Sequence, residues 1–460
     1  MKILANKSFA LKGYFSAPTL GNVGIGKVFS CDREDSSSLW QKGKELTVDV
    51  SSLWSDGTFV KDAYSGKKTK VHNGKVTLTP DDNSNGILLL EKDETKEQEV
   101  FSWDNAIIYF ALTDRFYNGD PSNDHCFGRR NDYPKEINCG TWHGGDFKGL
   151  TSKLDYLKKL GVNAIWISPI VEQIHGFDGQ GPNGEFPVYA CHGYWASDFT
   201  MLDPNFGTED DFREFVDSAH SKGIRVVVDI VMNHVGYHNL ADMQDNGFPQ
   251  MVNIHDLPEK WNDWQPKDGN YNIFNPSSRI TYKGLERWWS PKWVMADGLP
   301  NYDQSEEGSE TKSCVYWLPD FKTESQEYVT LPKFLLEKKN TKAKNLPNAT
   351  VLDYLISWQT YWIETFGIDG FRCDTAKHVE PIVWKKLKIA ANKSFSKWKE
   401  QNPSKKLDDL PFYMVGEVWG HKVTRDYYFD NGFDALINVK SAWIDPLHIN
   451  LNDPFLNLQN

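Results

Sequence analysis

One short stretch of this sequence carries charged side chains that a buried strand does not hold without a purpose. Residues 367–378 begin as an apolar, glycine-punctuated run and contain Arg372-Cys373-Asp374. Because side chains alternate along a strand, Arg372 and Asp374 share one face and Cys373 lies on the other, buried face. A carboxylate beside a permanently charged guanidinium is expected to have a lowered pKa, which suits a carboxylate nucleophile. A purely structural ion pair is the alternative explanation.

The surrounding sequence alternates between apolar strands and amphipathic helices. Strands are predicted at 106–111, 162–168, 224–232, 368–374, 412–418 and 433–438, and helices at 150–160, 209–222, 350–366 and 381–400. Such alternation is typical of the βα units of a doubly wound sheet or a (β/α)8 barrel. Residues 235–349 break the alternation and predict a subdomain inserted after the third strand.

The N-terminal residues have a different pattern. Residues 1–100 contain few helical periods, and the alternation around Asn73-Gly74 in residues 71–80 predicts a β-hairpin. We therefore expect a β-rich domain at 1–100, the first part of a catalytic barrel at 101–234, the insertion at 235–349 and the incomplete second part of the barrel at 350–460.

Composition argues against several classes of function. Asp and Glu outnumber Lys and Arg by 63 to 51 without any basic stripe, which argues against a nucleic-acid partner. The sequence contains no apolar run of about 18 residues, so no membrane span is predicted. The N-terminal stretch lacks the sustained apolar region of a signal peptide, so no signal peptide is predicted. The six cysteines form no zinc pattern, although Cys126 and Cys139 flank one loop and could form a disulfide.

Polar side chains recur at the ends of successive predicted strands. The third strand ends near Asp229 and His234, the fourth at Arg372 and Asp374, and the fifth at Glu417. In a parallel barrel these ends form the face where active sites assemble. Asp374 and Glu417 are therefore expected to converge, and a carboxylate pair is the machinery of glycoside hydrolysis. The apolar neighbours of Glu417 predict a raised pKa, which suits a general acid.

Five motifs together resemble those of the α-amylase family of retaining glycoside hydrolases, most closely the periplasmic α-amylases of Gram-negative bacteria. The motifs are Asp229–His234, Gly370–His378, Gly416–Trp419, Leu318–Asp320 and His192–Trp195. The resemblance extends from about residue 60 to about residue 438. It implies an α/β fold, a (β/α)8-type TIM barrel with about six strands present, an inserted subdomain and an N-terminal β-domain.

The resemblance also implies an activity and a role for each motif. The activity is endo-hydrolysis of α-1,4-glucosidic bonds in starch, glycogen or maltooligosaccharides by a retaining double displacement. Asp374 is implied as the nucleophile, Glu417 as the general acid/base and Arg372 as the residue that orients Asp374. The sugar before the cleaved bond would contact His192, Tyr194 and His234, and the sugar after it would contact Lys377 and His378.

Calcium is a further implication of the resemblance. Asn233, Asp320 and the carbonyl of His378 match the ion site between barrel and inserted subdomain, and oxygen ligands from distant segments suit a hard cation. A second candidate Ca²⁺ site comprises Asn118, Asp120, Asn123, Asp124, Gly144 and Asp146. The same residue types are also common in ordinary turns.

The resemblance is incomplete at the C-terminal end. The third carboxylate of the family belongs to a His-Asp pair, and no such pair follows Glu417, so we expect a chain truncated relative to the family. One alternative function is a catalytically inactive α-glucan-binding protein. Another is a related transglycosylase, debranching enzyme or exo-acting glucosidase. The family further implies an α-glucan partner, a monomer when the enzyme is complete, and a periplasmic or secreted location.

Overall fold

The computed structural model describes residues 2–6, 28–30, 45–80, 88–93, 101–135, 138–180, 186–236, 242, 288–296, 309–315, 318–420 and 425–437. Its internal contacts divide the chain into two compact units, Met1–Phe101 and Ser102–Asn460. Most of the predicted insertion at 235–349 and the tail after residue 437 lie outside the described residues. The boundaries predicted inside the second unit therefore stay predictions.

The first unit is built from short strands in two sheets. One sheet has five strands in the order β2-β1-β7-β4-β5, and the other pairs β3 with β6. Val48, Val60 and Val76 belong to the apolar cluster between the described strands. The strands are β1 Lys2–Asn6, β2 Val28–Ser30, β3 Leu46–Asp49, β4 Phe59–Asp62, β5 Lys68–Lys70, β6 Lys75–Leu78 and β7 Leu88–Lys92.

The hairpin predicted around Asn73-Gly74 is only one residue pair deep. Both turn residues have positive φ, 51° and 70°, as the tight turn requires, and His72 and Lys75 exchange backbone hydrogen bonds. Beyond that pair β5 joins β4, and β6 joins β3. The flanking strands do not continue this pairing, because Val76 pairs with Val48 inside the core, so burial rather than the turn selects the partner strand.

The second unit contains the predicted alternation of strands and helices. Its strands are β8 Ile108–Ala111, β9 Ala164–Ile167, β10 Val171–Gln173, β11 Phe177–Gln180, β12 Pro187–Tyr189, β13 Ala196–Leu202, β14 Arg225–Ile230, β15 Val294–Met295, β16 Asp320–Phe321, β17 Gly370–Cys373, β18 Tyr413–Gly416 and β19 Ala435–Leu436. Its α-helices are α1 Thr113–Phe116, α2 Phe147–Lys159, α3 Glu209–Ser221, α4 Lys333–Glu337, α5 Val351–Phe366, α6 Pro381–Gln401 and α7 Tyr427–Asp430. Short 3₁₀ turns cover Trp103–Asn105, Pro121–Asn123, Cys126–Gly128 and Ala376–His378.

Six parallel strands form the central sheet, in the order β8-β9-β14-β17-β18-β19. Each strand is added beside the preceding one in chain order. A doubly wound sheet would instead reverse its direction of growth at a switch point. The sheet is therefore part of a (β/α)8-type barrel, with the six strands that the sequence predicted, and β14 is buried along its whole length.

Local sequence signals start and stop the helices that flank this sheet. Asp146 caps α2 by accepting the backbone N–H of Gly149, while Thr208 and Thr350 open α3 and α5 with capping boxes. Gly367 ends α5 with φ of 75°, and a Cβ there would collide with the Trp398 ring. This sharp end sends the chain directly into β17.

Two further expectations can be compared with the described residues. Cys126 and Cys139 are both free thiols, so the disulfide that their spacing allowed is not formed. Within the described segments, no helix combines the length and apolar character needed to cross a membrane.

Candidate active site

Strand register brings the functional side chains to one edge of the sheet. Asp229 on β14 lies directly opposite Arg372 on β17. The ladders continue past the strand ends, since Asp374 N–H donates to the Ile230 carbonyl at 2.9 Å and Glu417 N–H to the Cys373 carbonyl at 3.0 Å. Three adjacent parallel strands therefore deliver three carboxyl groups to the same place. The sequence predicted this convergence for Asp374 and Glu417, and the structure adds Asp229.

Arg372 is the centre of this group. Its Nη1 donates to Asp374 Oδ1 at 2.8 Å and to both oxygens of Asp229 at 3.1 and 3.0 Å. Its Nη2 lies 2.9 Å from Glu417 Oε1. Arg372, Asp229 and Asp374 are 4%, 1% and 7% exposed. One buried guanidinium thus binds three carboxyl groups, and the planar fork of arginine suits that task. Arg372, Asp229, Asp374 and Glu417 form the Arg372 cluster.

The pKa expected for Asp374 is wrong in direction. Burial raises the pKa of Asp374, and this effect outweighs the attraction of Arg372, which lowers it. Burial likewise raises the pKa of Glu417, as predicted, against the opposing effect of Arg372. Removal from water explains why one arginine does not keep all the neighbouring carboxyl groups strongly acidic.

Asp229 and its neighbour Trp166 had no role in the sequence prediction. Asp229 lies within a quoted motif, and its carboxylate accepts hydrogen bonds from the Tyr194 hydroxyl at 2.8 Å and from Trp166 Nε1 at 3.1 Å. Burial raises the pKa of Asp229 to about 7. The signal for Trp166 was a bulky indole at an inward-facing position of β9, where the register places it beside Val227, two residues before Asp229.

An aromatic wall built by residues 192–195 lies beside the carboxyl groups. The His192 ring stacks on Tyr194 with centroids 5.6 Å apart. Tyr194 N–H donates to His192 Nδ1 at 3.0 Å, which leaves the proton of a neutral imidazole on Nε2. Burial lowers the pKa of His192 to about 4, so the ring is neutral at neutral pH. His234 Nε2 donates to the Tyr194 carbonyl at 3.1 Å, which connects the third predicted sugar contact to the same wall.

Lys377 and His378 lie after the turn that follows β17. Lys377 Nζ is 3.3 Å from Glu310 Oε1, and His378 Nδ1 contacts the Glu310 carbonyl at 2.8 Å. The turn begins at Thr375, whose φ of 46° is left-handed and whose N–H donates to Glu417 Oε2 at 3.2 Å. Lys377 and His378 therefore both contact Glu310.

The three groups of the first predicted cation site converge. Asn233 Nδ2 donates to Asp320 Oδ1 and, at 3.1 Å, to the His378 carbonyl. Burial, together with Glu380 and Glu324, raises the pKa of Asp320 well above its usual value. Asp320 is thus a buried acid whose charged neighbours include two further acids. The His234 ring donates at Nε2 and, when neutral, accepts at Nδ1, which faces the side-chain amide of Asn233. With the amide nitrogen of Asn233 placed toward this Nδ1, the amide oxygen of Asn233 points toward Asp320.

The six residues of the second predicted site also belong to one cluster. Asn118 Nδ2 donates to Asp124 Oδ1 at 2.8 Å, while the side-chain oxygens of Asn118 and Asn123 are buried without a hydrogen-bond partner. A Cβ at Gly144 would collide with Asn118 and Asp124, so only glycine fits that position. Asp146 Oδ2 accepts Asp120 N–H at 2.7 Å. Two orphaned oxygens among three carboxylates are what a hard cation would satisfy.

Neither set is a cluster of acidic side chains alone. Among the described segments, no group of three or more His, Cys, Asp and Glu side chains is placed to hold a metal ion. Both sets rely on amide or carbonyl oxygens, which Ca²⁺ accepts alongside carboxylates.

Comparison with known proteins agrees with this geometry. The family described as "Alpha amylase, catalytic domain" matches residues 110–443. The Escherichia coli periplasmic alpha-amylase is 49% identical over 86% of this chain and 59% of that protein. The beta/alpha-amylase of Paenibacillus polymyxa is 30% identical over 75% of this chain and 24% of its own length. The alpha-amylase of Streptomyces lividans is 28% identical over 65% of this chain and 30% of its own length.

The chain thus spans less than two thirds of the length of these relatives. The match nevertheless covers most of the second unit and every residue of the Arg372 cluster. By sequence and by the arrangement of its strand ends, the chain belongs to the α-amylase catalytic-domain family.

Proposed function

We propose that the chain hydrolyses internal α-1,4-glucosidic bonds of starch, glycogen or maltooligosaccharides with retention of configuration. One observation carries the proposal: Arg372 holds Asp374 and Glu417 together at the carboxyl ends of neighbouring parallel strands. The E. coli relative is named an α-amylase, which supports an α-glucan as substrate.

In the first step Asp374 attacks the anomeric carbon while Glu417 protonates the departing glycosidic oxygen. A bond forms between Asp374 and the sugar, and the glycosidic bond breaks. Burial raises the pKa of Glu417, which favours the protonated form that a general acid needs.

In the second step Glu417, now ionised, takes a proton from water as the water attacks the anomeric carbon. The bond to Asp374 breaks and its carboxylate is restored. Arg372 stabilises the charge that moves between Asp374 and Glu417. The neutral His192 donates from Nε2 to a sugar hydroxyl, and the Tyr194 ring offers an apolar face to the same sugar. His234 completes that subsite, and Lys377 and His378 contact the sugar beyond the cleaved bond.

The decisive experiment uses the full chain with soluble starch and Ca²⁺. We expect reducing ends to appear, iodine staining to fall early as internal bonds are cut, and the first product to carry the α-anomer by NMR. Glu417→Gln serves as the matched inactive protein. Starch binding without new reducing ends would instead identify an inactive α-glucan-binding protein, and transfer products or glucose alone would identify a transglycosylase or an exo-acting enzyme.

We further infer that Ca²⁺ binds at both oxygen-rich clusters. Asn233, Asp320 and the His378 carbonyl would hold one ion, which would stabilise the junction between the barrel and residues 318–320. Asn118, Asp120, Asn123, Asp124, Asp146 and the Gly144 carbonyl would hold the other. The buried unpartnered oxygens of Asn118 and Asn123 support the second assignment.

Calcium binding has a test that does not require activity. Removal of Ca²⁺ with a chelator should lower the melting temperature, and added Ca²⁺ should restore it. Asn123→Ala should reduce the measured stoichiometry by one ion, and Asp320→Asn should reduce it by one at the other cluster. An unchanged stoichiometry in either variant would contradict the corresponding site.

A periplasmic or secreted location is proposed from the relative in E. coli, whose name places it in the periplasm. Fractionation of cells that express the gene with its native upstream sequence would test this location. Gel filtration of the full chain would test whether it is a monomer.

A further inference from the structure

Trp166 lies beneath the Arg372 cluster, although it occupies none of the positions that reach substrate in the proposed mechanism. Its Nε1–H donates to Asp229 Oδ2 at 3.1 Å. Its ring lies under the guanidinium of Arg372, with the guanidinium carbon 5.1 Å from the ring centroid. One side chain therefore contacts both members of the Asp229–Arg372 pair, by a hydrogen bond to the anion and a cation–π contact to the cation.

Asp229 depends on its donors because it is completely enclosed. Its Oδ2 accepts from Tyr194, Trp166 and Arg372, at 2.8, 3.1 and 3.0 Å. A buried carboxylate stays ionised only when hydrogen bonds and opposite charge replace water. Tyr194 also belongs to the aromatic wall at residues 192–195, so Trp166 is the neutral donor among these three that lies outside the proposed sugar contacts.

The indole is itself held in place from the opposite side. Phe110 on β8 packs against Trp166 with ring centroids 4.1 Å apart and an interplanar angle of 33°. The register of the sheet places the two residues directly across from each other. The N–H of Trp166 is thereby aimed at Asp229 by the first two barrel strands, which contribute no carboxyl group to the cluster.

We propose that Trp166 is a positioning residue that stabilises the ionised form of Asp229 and holds Arg372 in place, so that Arg372 can hold Asp374 and Glu417 in the arrangement needed for glycosyl transfer. The proposal rests on the proposed function for its kinetic consequences. It does not rest on that function for the hydrogen bond and ionisation themselves. Loss of the N–H would leave Asp229 one donor short, and protonation of Asp229 would free Arg372 to move toward the other two carboxyl groups.

The kinetic test is Trp166→Phe, which keeps an aromatic ring under Arg372 and removes only the donor. We expect kcat to fall about tenfold, the size of one hydrogen bond to a charged group, with KM changed much less. The acidic limb of the kcat/KM profile should move to higher pH, because a carboxylate that loses a donor has a higher pKa. The matched control is Trp362→Phe, since the Trp362 N–H is buried without a partner and its ring packs against Tyr361 and Phe366 within α5. That control should retain the wild-type pH profile.

A spectroscopic test separates this inference from the proposed function. In protein labelled with ¹⁵N-tryptophan, the indole resonance that Trp166→Phe removes should shift with pH in a single titration, and the shift should be absent in Asp229→Asn. A titrating resonance in a chain that does not hydrolyse starch would support the role of Trp166 and defeat the proposed activity. A resonance that does not titrate, or an unshifted acidic limb in an active Trp166→Phe variant, would overturn the inference.

Discussion

The two ends of strands β14 and β17 both bury ion pairs, but they balance charge in opposite ways. Just before β17, Asp369 accepts a hydrogen bond from His220 Nε2 at 2.8 Å and another from Val226 N–H at 2.8 Å. At the start of β14, Arg225 pairs with Asp408. Each of these two carboxylates has a basic partner nearby. At the carboxyl end, Arg372 is the one basic side chain among the described residues that pairs with Asp229, Asp374 and Glu417.

The two ends of the strands therefore separate contacts that stabilise the fold from groups that can carry out chemistry. The His220–Asp369 pair joins α3 to the segment before β17. The carboxyl-end cluster has more acid than base, so small changes in its surroundings move protons between its members. Parallel barrels commonly place stabilising contacts at one end and chemistry at the other.

The largest effect should come from Asp374→Asn. We expect hydrolysis to fall by roughly 10⁴-fold or more, as for removal of other covalent nucleophiles, while the free energy of unfolding stays the same or rises. The reason for the second expectation is that a buried negative charge leaves an over-acidic cluster. Initial rates on starch and urea denaturation measure the two quantities. A large loss of stability would remove the contrast between the two ends.

Glu417→Gln should have the next largest effect on activity. We expect a loss of roughly 10²- to 10⁴-fold, typical of a general acid/base, together with loss of the alkaline limb of the pH profile. Because burial raises the pKa of Glu417, that limb in the wild type should lie above the usual range for a glutamate. Retention of the alkaline limb in the variant would assign it to another group.

Asp369→Ala should have the opposite pattern. It leaves His220 and the Val226 N–H without their acceptor, so we expect about 3 kcal/mol less stability and an unchanged kcat per folded molecule. Asp409→Ala is the control, since its ion pair with Lys406 is mostly exposed, and it should change stability very little. A fall in kcat in folded Asp369→Ala would show that the two ends are coupled.

The smallest effect concerns pH. Burial alone would lower the pKa of His220, but the charge and hydrogen bond of Asp369 outweigh it, and the pKa is raised. A raised folded-state pKa contributes stability that is fully present below the unfolded value of about 6.5 and is lost as pH rises through the folded value. The stability gap between wild type and His220→Gln should therefore be widest at mildly acidic pH and narrow above neutrality. Urea denaturation across this range measures the gap, and a constant gap would rule out a charged His220 in the folded state.

The sequence predicted best those features of the fold that a local residue pattern determines. The six strands of the sheet and the convergence of Asp374 with Glu417 follow from periodicity and from the rule that parallel strands end on one face. Periodicity left a doubly wound sheet and a barrel both open, and the family resemblance implied the barrel. The prediction of a tight turn at Asn73-Gly74 is confirmed, because both residues have the positive φ that they adopt readily.

Quantities set by the whole surroundings were not accessible in this way. The pKa of Asp374 depends on how completely water is excluded, and one neighbouring arginine in the sequence does not reveal that. The partner of β6 depends on which side chains share the core. The role of Trp166 needed the register of three strands, since it contacts residues 63 and 206 positions away in the chain.

Asp146 gives the second proposed Ca²⁺ site an internal reporter. The same carboxylate accepts the Gly149 N–H at 2.6 Å, opening α2, and the Asp120 N–H at 2.7 Å, closing the acidic loop. The hydrogen-exchange rate of the Gly149 amide should therefore depend both on cation occupancy and on fraying of the first turn of α2. Hydrogen exchange at Gly149 should slow as Ca²⁺ is added, so a single backbone position measures occupancy without a substrate, a dye or a change of sequence.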